Sequence, residues 1–337
     1  MRYSPHSSVR SCSAAPFRAR QRVTAAVGYN REMSLVVVGS VAYDGIETPH
    51  GKVDRILGGA ATYIALSAGY FTPVNVVAVV GDDFAQEDFA FLEGRGIGLE
   101  GLERATGKTF YWSGVYSHDM NERTTLSTEL NVFANFEPKL PDSYKASPYL
   151  MLGNIQPALQ RGVRAQMNGV RLVGGDTMNY WINDYRPELL QTIREWDFLL
   201  INDSEARLLS GHSNLRKAAS AILDMGPNTL VIKRGEYGAL LFRRDAHFMV
   251  PGYLLEEVFD PTGAGDCFAG GFVGYLAGRG IDLAAGHIDS KELGRAVIYG
   301  SVMGSFCCEK FGVDRFRTLT REEIDRRFAE FREFTEF

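Results

Sequence analysis

No stretch of the 337 residues reaches the roughly 18 uncharged apolar positions that a membrane-spanning helix needs, so no membrane partner is expected. Cysteine is sparse: Cys12, Cys267, Cys307 and Cys308, with no C-x-x-C pair. The six histidines are scattered and show no H-E-x-x-H spacing. Both gaps argue against structural zinc and for buried, reduced thiols in a reducing compartment. Positive charge is not in excess either. The formal net charge is −5, which gives no footing for general nucleic-acid binding. No G-x-G-x-x-G follows the first strand-like run, which argues against a dinucleotide oxidoreductase. No internal repeat or low-complexity segment follows residue 33.

What remains is 45% hydrophobic and 23% charged, enough apolar material for one large core or two modest ones. Residues 1–33 stand apart. Six arginines (Arg2, Arg10, Arg18, Arg20, Arg22, Arg31) face one acid, Glu32, a local charge of +5 that leaves −10 on the rest. This piece reads either as a transit peptide or as a disordered extension ahead of a start at Met33. The expected location is organellar in the first case and cytoplasmic in the second.

From residue 34 the chain alternates β-branched runs with helical patterns. Ser34–Val41 and Val74–Gly81 read as buried strands, and Ala60–Phe71 as the helix between them. Asp82 and Asp83 are expected to start a helix that runs to about Arg95. Residues 45–57 read as a hairpin leaving the main sheet, and Thr109–Tyr116 with 124–136 as further β structure beside it. Winding resumes with strands at Tyr149–Gly153, Val170–Gly174, Phe198–Ile201, Thr229–Lys233, Ala239–Phe242 and His247–Pro251. Helices are expected at 157–168, 187–195, 214–225, 291–308 and 321–334. This pattern predicts parallel α/β winding. Polar residues recur where its strands end: Asp44, Asn154, Asp176 with Asn179, Asn202 with Glu205, and Asp260 with Asp266. Such a row suggests a cleft along the carboxyl edge of one sheet.

The most informative stretch is FDPTGAGDCFAGGFVGYLAG, Phe259–Gly278. Small residues at Gly263, Ala264 and Gly265 let backbone N–H groups converge on an anion, with a helix N-terminus behind them. Asp266 would repel that anion. A carboxylate there makes sense as the base that takes a proton from a hydroxyl attacking phosphorus. For single residues plainer readings stay open: a turn or cap for Asp44, a solvated first-turn acid for Glu205, a strand-end surface charge for Lys233.

Over about residues 34–314 the chain resembles the ribokinase, or PfkB-type carbohydrate kinase, family. Asp260-Pro261-Thr262-Gly263-Ala264-Gly265-Asp266 carries most of the resemblance. Gly58-Gly59 before a helix, Asn202-Asp203-Ser204-Glu205 as N-x-x-E, and Val231–Gly235 with Gly238-Ala239 add to it. The resemblance implies a three-layer α/β/α sandwich with a mainly parallel central sheet and a small β lid from about 43–57 and 109–136. It implies ATP and Mg²⁺, with a monovalent cation as a further candidate. Asp266 would be the base, with the backbone amides of Gly263, Ala264 and Gly265, and that of Asp266 itself, as the anion hole. Asn202 and Glu205 would organise Mg²⁺, Glu205 through water. Lys233, Gly235, Gly238 and Thr262 would line the nucleotide's path, and 300–312 would close over adenine. Asp44, Gly58, Gly59, Tyr63 and Asn154 would face the acceptor. The lid also offers a homodimer interface.

Four positions depart from a ribose site: Ala42, Ala60, Tyr63 and Asn154 replace polar sugar contacts. Lost hydroxyl partners change specificity, so ribose itself is not expected. Tyr63 offers either a ring to stack on a nucleobase or a core side chain. No basic cluster for a second phosphate stands out, which favours an unphosphorylated acceptor. The primary expectation is an ATP-dependent kinase of a sugar or sugar-like alcohol. A nucleoside kinase using Tyr63 with Phe110, Tyr111 and Trp112 is the alternative. A non-catalytic kinase-like scaffold is the alternative of another class.

Overall fold

The computed structural model describes residues 33–283 and 289–335; the extension through residue 32 lies outside them. The first strand shows how the layers arise. Strand β1 (Leu35–Val38) is LVVV, buried throughout. Leu35 and Val37 join one hydrophobic core, while Val36 and Val38 join another on the opposite face. Phe198 and Leu200 against Leu199 and Ile201 repeat this division in β10 (Phe198–Asn202). Strands apolar on both faces require cover on both faces, and helices supply it.

Nine strands form the main sheet. Beyond β1 and β10 they are β4 (Val74–Val80), β5 (Gly98–Arg104), β8 (Tyr149–Leu152), β9 (Leu172–Asp176), β11 (Thr229–Lys233), β12 (Ala239–Phe242) and β13 (His247–Val250). Their order is β13-β12-β11-β10-β9-β8-β1-β4-β5. Pairing is parallel from β5 to β11 and antiparallel from β11 to β13. The chain leaves β1 in one direction to β4 and later returns on the other side as β8. The crevice beyond β1 and β8 is therefore a switch point, where ligands of open α/β sheets settle.

One layer contains α1 (Ala60–Ala68), α8 (Ala264–Gly278), α9 (Ser290–Cys307) and α10 (Arg321–Thr335). The other contains α3 (Pro157–Gln166), α5 (Arg186–Ile193), α6 (Asp203–Ser210) and α7 (Leu215–Leu223). Three layers of this kind are the α/β/α sandwich expected from the sequence. The glycines of α8 let backbones meet. A Cβ would lie 2.3 Å from Ile64 O at Gly270, 2.6 Å from Tyr299 O at Gly271 and 2.7 Å from Ala68 Cα at Gly274. The motif helix is thus wedged between α1 and α9.

A second sheet has the order β3-β2-β6-β7, from β2 (Ala42–Thr48), β3 (Gly51–Gly58), β6 (Tyr111–Tyr116) and β7 (Arg123–Glu129). It draws on the two segments read as leaving the main domain.

Three details differ from the sequence reading. Asp82 and Asp83 do not start a helix; α2 runs from Gln86 to Gly94. Their carboxylates instead tie a turn, Asp82 accepting from Gly107 N and Asp83 from Thr109 N and Oγ1. Strand β5 and the short helix α4 (Asn179–Asp184) were not anticipated. Residues 300–307 are the buried end of α9, and a Cβ at Gly300 would lie 3.0 Å from the Phe268 ring, so this part of 300–312 is packing.

Candidate active site

The anion turn is built from the bottom by one carboxylate. Asp260 is fully buried; Oδ1 accepts from Thr262 N at 2.9 Å and Oδ2 from Gly312 N at 2.8 Å. Gly263 then adopts φ 76°, and a Cβ there would sit 2.5 Å from the Tyr63 ring. Only glycine meets both demands. Gly263 is the N-cap of α8, so Ala264, Gly265 and Asp266 are its first turn. Ala264 N is occupied, donating to Pro261 O at 3.1 Å. The N–H groups of Gly263, Gly265 and Asp266 have no backbone acceptor among the described residues. The free donors are therefore a subset of the turn read from the sequence, with Ala264 removed from it. Thr262 is equally engaged: Oγ1 donates to Tyr116 OH at 3.0 Å and its carbonyl accepts from Cys307 Sγ at 3.3 Å. It joins the second sheet to the turn.

Acids converge on this turn. Burial raises Asp266, while the charges of Lys233 and Arg123 and a hydrogen bond from Asp176 act the other way. Asp176, at the end of β9 and 6% exposed, is raised further by burial and by the Asp266 charge. Asp44, 5% exposed, is pushed up to about 7 by burial and then by the charges of Asp260 and Asp266. The Gly59 N–H and Arg123 oppose that rise. A Cβ at Gly58 would fall 1.9 Å from Asp44 Oδ2, so glycine there makes room for the carboxylate. Gly59 holds φ 91°, and a Cβ on it would meet Ser40 O at 2.5 Å. Gly58 is thus required by a side chain and Gly59 by the backbone.

On the nucleotide side, N-x-x-E proves to be a helix cap. Asn202 Oδ1 accepts from Glu205 N at 2.8 Å, and Glu205 Oε2 accepts from Asn202 N at 2.8 Å. This reciprocal box starts α6 and fixes where Glu205 points. Burial raises the Glu205 carboxyl, and Lys233 most opposes the rise. Lys233 Nζ donates to Gly265 O at 3.3 Å, so its charge sits at the anion turn. Gly235 is open, whereas a Cβ at Gly238 would lie 2.0 Å from Val250 O. Gly238 thus serves the β11–β12 turn. Among the described residues no group of three or more His, Cys, Asp or Glu side chains could hold a metal by itself.

Asn154 is held from the side. Trp181 Nε1 donates to its Oδ1 at 2.7 Å, and its Nδ2 points at Met178 Sδ at 3.1 Å. Tyr63 is 1% exposed beneath Gly263 with its hydroxyl unpaired, which makes it core and not an open stacking face. Sequence reading missed Arg123, an exposed residue at the start of β7 whose guanidinium lies over the Trp112 ring and whose charge favours the ionised forms of Asp44, Asp266 and Glu205. It also passed over Trp181 and left Asp176 only as a strand-end acid. The one local signal for Asp176 was its place after a buried strand.

Residues 32–318 match the pattern of the pfkB family carbohydrate kinases. The chain belongs to that family. As a pfkB-family member it is an ATP-dependent kinase of a sugar or nucleoside alcohol group. It is 29% identical to cytidine kinase of Thermococcus kodakarensis over 74% of this chain and 91% of that one. Solved structures share the fold. A nucleoside kinase of Burkholderia thailandensis in complex with inosine gives a TM-score of 0.67 at 22% identity, covering 88% of this chain and 96% of that one. A protein from E. coli assigned as ribokinase II, in complex with ATP and Mg²⁺, gives 0.70 at 19% identity, covering 88% and 99%. No described helix is long and apolar enough to cross a membrane.

Proposed function

We propose that Asp266 is the base of this pfkB-family kinase and that the acceptor is an unphosphorylated, hydroxyl-rich small molecule bound at Asp44. The supporting observation is the first turn of α8, where the half-buried Asp266 carboxylate shares one turn with unpaired N–H groups and the Lys233 ammonium. The acceptor hydroxyl gives its proton to Asp266 as its oxygen bonds to the γ-phosphorus, and the bridging oxygen leaves with ADP. The N–H groups of Gly263, Gly265 and Asp266, together with Lys233, stabilise the charge on the transferring group. Mg²⁺, when bound, neutralises the phosphates; Glu205 would hold its water. The second sheet acts as the lid, latched through Tyr116 to Thr262 and through Asn121 Nδ2 to Glu236 Oε1 at 3.1 Å.

Among acceptors, a nucleoside is favoured by two observations. Tyr180, Trp181 and Tyr185 form an aromatic cluster beside Asn154, with Tyr180 48% exposed. The likeness to cytidine kinase runs along 91% of that protein. The lid's edge strand β7 leaves Leu126 60% exposed, which supports pairing of two copies there; sedimentation velocity decides it.

The test is ATP consumption against nucleosides, sugars, polyols and sugar phosphates, with and without K⁺ for the monovalent-cation expectation. Turnover with a nucleoside or sugar is expected. Neither turnover nor ATP binding would return the protein to the scaffold class. Asp266→Asn is expected to lower kcat by about 10²–10⁴-fold while ATP affinity stays within a few-fold. Near-normal turnover would remove Asp266 from its role.

A further inference from the structure

The contact between Trp181 and Asn154 has no part in the phosphoryl transfer outlined above. Asn154 follows Gly153, whose N–H donates to Val38 O at 2.7 Å, so the end of β8 is pinned to the end of β1. A Cβ on Gly153 would lie 3.6 Å from Ala60 Cβ, which sets Asn154 beside the start of α1 and its Gly59 N-cap. From the other side comes α4. Its Ile182 is 2% exposed and anchors the helix in the core. The Trp181 ring lies between Tyr180 and Tyr185, with centroids 4.8 and 5.2 Å away. Held this way, the indole N–H donates to Asn154 Oδ1 at 2.7 Å. An indole N–H donates and never accepts. A turned-over amide would set two donors against each other, so this bond decides which end of the Asn154 amide faces Trp181.

We propose that Trp181 is a positioning residue for acceptor recognition: it occupies the oxygen of the Asn154 amide and leaves the NH₂ for the bound molecule, so that this subsite selects a hydrogen-bond acceptor, an oxygen or an unprotonated ring nitrogen, on the molecule to be phosphorylated.

The NH₂ group meets only Met178 Sδ, at 3.1 Å, on a residue 37% exposed. A thioether is a weak acceptor on a flexible side chain, and a ligand oxygen would replace it with a stronger bond. An amino group at the same place would set N–H against N–H. A carbonyl, a hydroxyl or a bare ring nitrogen meets the donor instead. Sites of this kind discriminate through the partner that a wrong ligand leaves unpaired. Tyr180, on the same short helix and 48% exposed, adds an aromatic face next to the subsite. The proposal rests on the reading of Asn154 as a residue of the acceptor side of a kinase.

Indole-¹⁵N labelling of the full chain reads the clamp without any acceptor. The sequence has three tryptophans, and Trp181→Phe assigns the signal of interest. In Asn154→Leu the Trp181 N–H signal is expected to move upfield and to exchange with solvent about tenfold faster. An unchanged signal and exchange rate would overturn the clamp, whatever the panel of acceptors shows. The kinetic arm uses the acceptor found by that panel, with analogues in which one oxygen at a time is replaced by hydrogen or by an amino group and one ring nitrogen at a time by C–H. In the wild type one position is expected to lower kcat/KM by about tenfold when its acceptor atom is removed, and by more when an amino group takes its place. In Asn154→Leu that penalty disappears. In Trp181→Phe the amide is free to turn, so the amino analogue gains about tenfold relative to its parent, and the parent loses more in KM than in kcat. A merely structural role for Trp181 would weaken every analogue alike. Unchanged ratios in the two folded variants, or no sensitive position in the wild type, would refute the positioning role. If no acceptor is turned over, the proposed function fails and the indole arm still decides the clamp.

Discussion

Replacing Asp44 by Asn tests the electrostatics of the cleft through stability alone. Asp44 is held at about 7 against an ordinary 3.8, first by burial and then by Asp260 and Asp266. An acid raised in this way binds its proton more readily when folded. Its contribution favours folding fully below the unfolded value and is lost as pH climbs through about 7. The gap amounts to about 4 kcal/mol by pH 8 and about 1.5 kcal/mol at pH 5. Asn has nothing to ionise and can still accept from Gly59 N–H. Its amide brings a separate cost of about 1–3 kcal/mol against the Gly58 backbone, but that cost does not vary with pH. The signature is therefore a slope. The stability of Asp44→Asn relative to wild type should climb between pH 5 and 8, on the order of 5 °C in Tm, and level off above. Urea and thermal unfolding at four pH values measure it. Parallel curves for the two proteins would show that Asp44 is ionised at ordinary pH and would refute the reasoning.

Other substitutions separate packing from chemistry. Glu205→Gln keeps an oxygen for Asn202 N–H, so urea stability should change by less than about 1 kcal/mol, while kcat falls about tenfold or more and the Mg²⁺ requirement rises. Gly263→Ala forces a methyl into the Tyr63 ring at φ 76°, and should cost about 1–3 kcal/mol in urea unfolding along with most turnover. Tyr116→Phe breaks the latch to Thr262. Acceptor KM should rise several-fold, about 1 kcal/mol, with kcat less affected in steady-state kinetics.

The sheet was legible because its strands are buried on both faces. Runs such as LVVV and VNVVAVV admit no amphipathic alternative. Strand β5, GLEGLER, sits at the sheet edge with exposed acids, and α4, NYWIND, has six residues; neither carries a period that sequence can resolve. Asp82 and Asp83 looked like helix-start acids because their true partners, Gly107 and Thr109, lie about 25 residues away. The motif at Asp260–Asp266 is local and could be read directly. Lys233 at the end of β11 donates to Gly265 O in the first turn of α8, and no spacing along the chain encodes that approach.

The two bonds of Asp260 also bear on how the protein is made. The carboxylate needs Gly312 N, 52 positions downstream, before both its oxygens are satisfied. On a translating ribosome the DPTGAGD segment therefore emerges without the partner that finishes its turn. The β-strands through β13 have all left the ribosome by then, but the catalytic turn must wait for the end of α9 and the loop behind it. Synthesis therefore delivers every strand of the sheet before the residue that completes this turn.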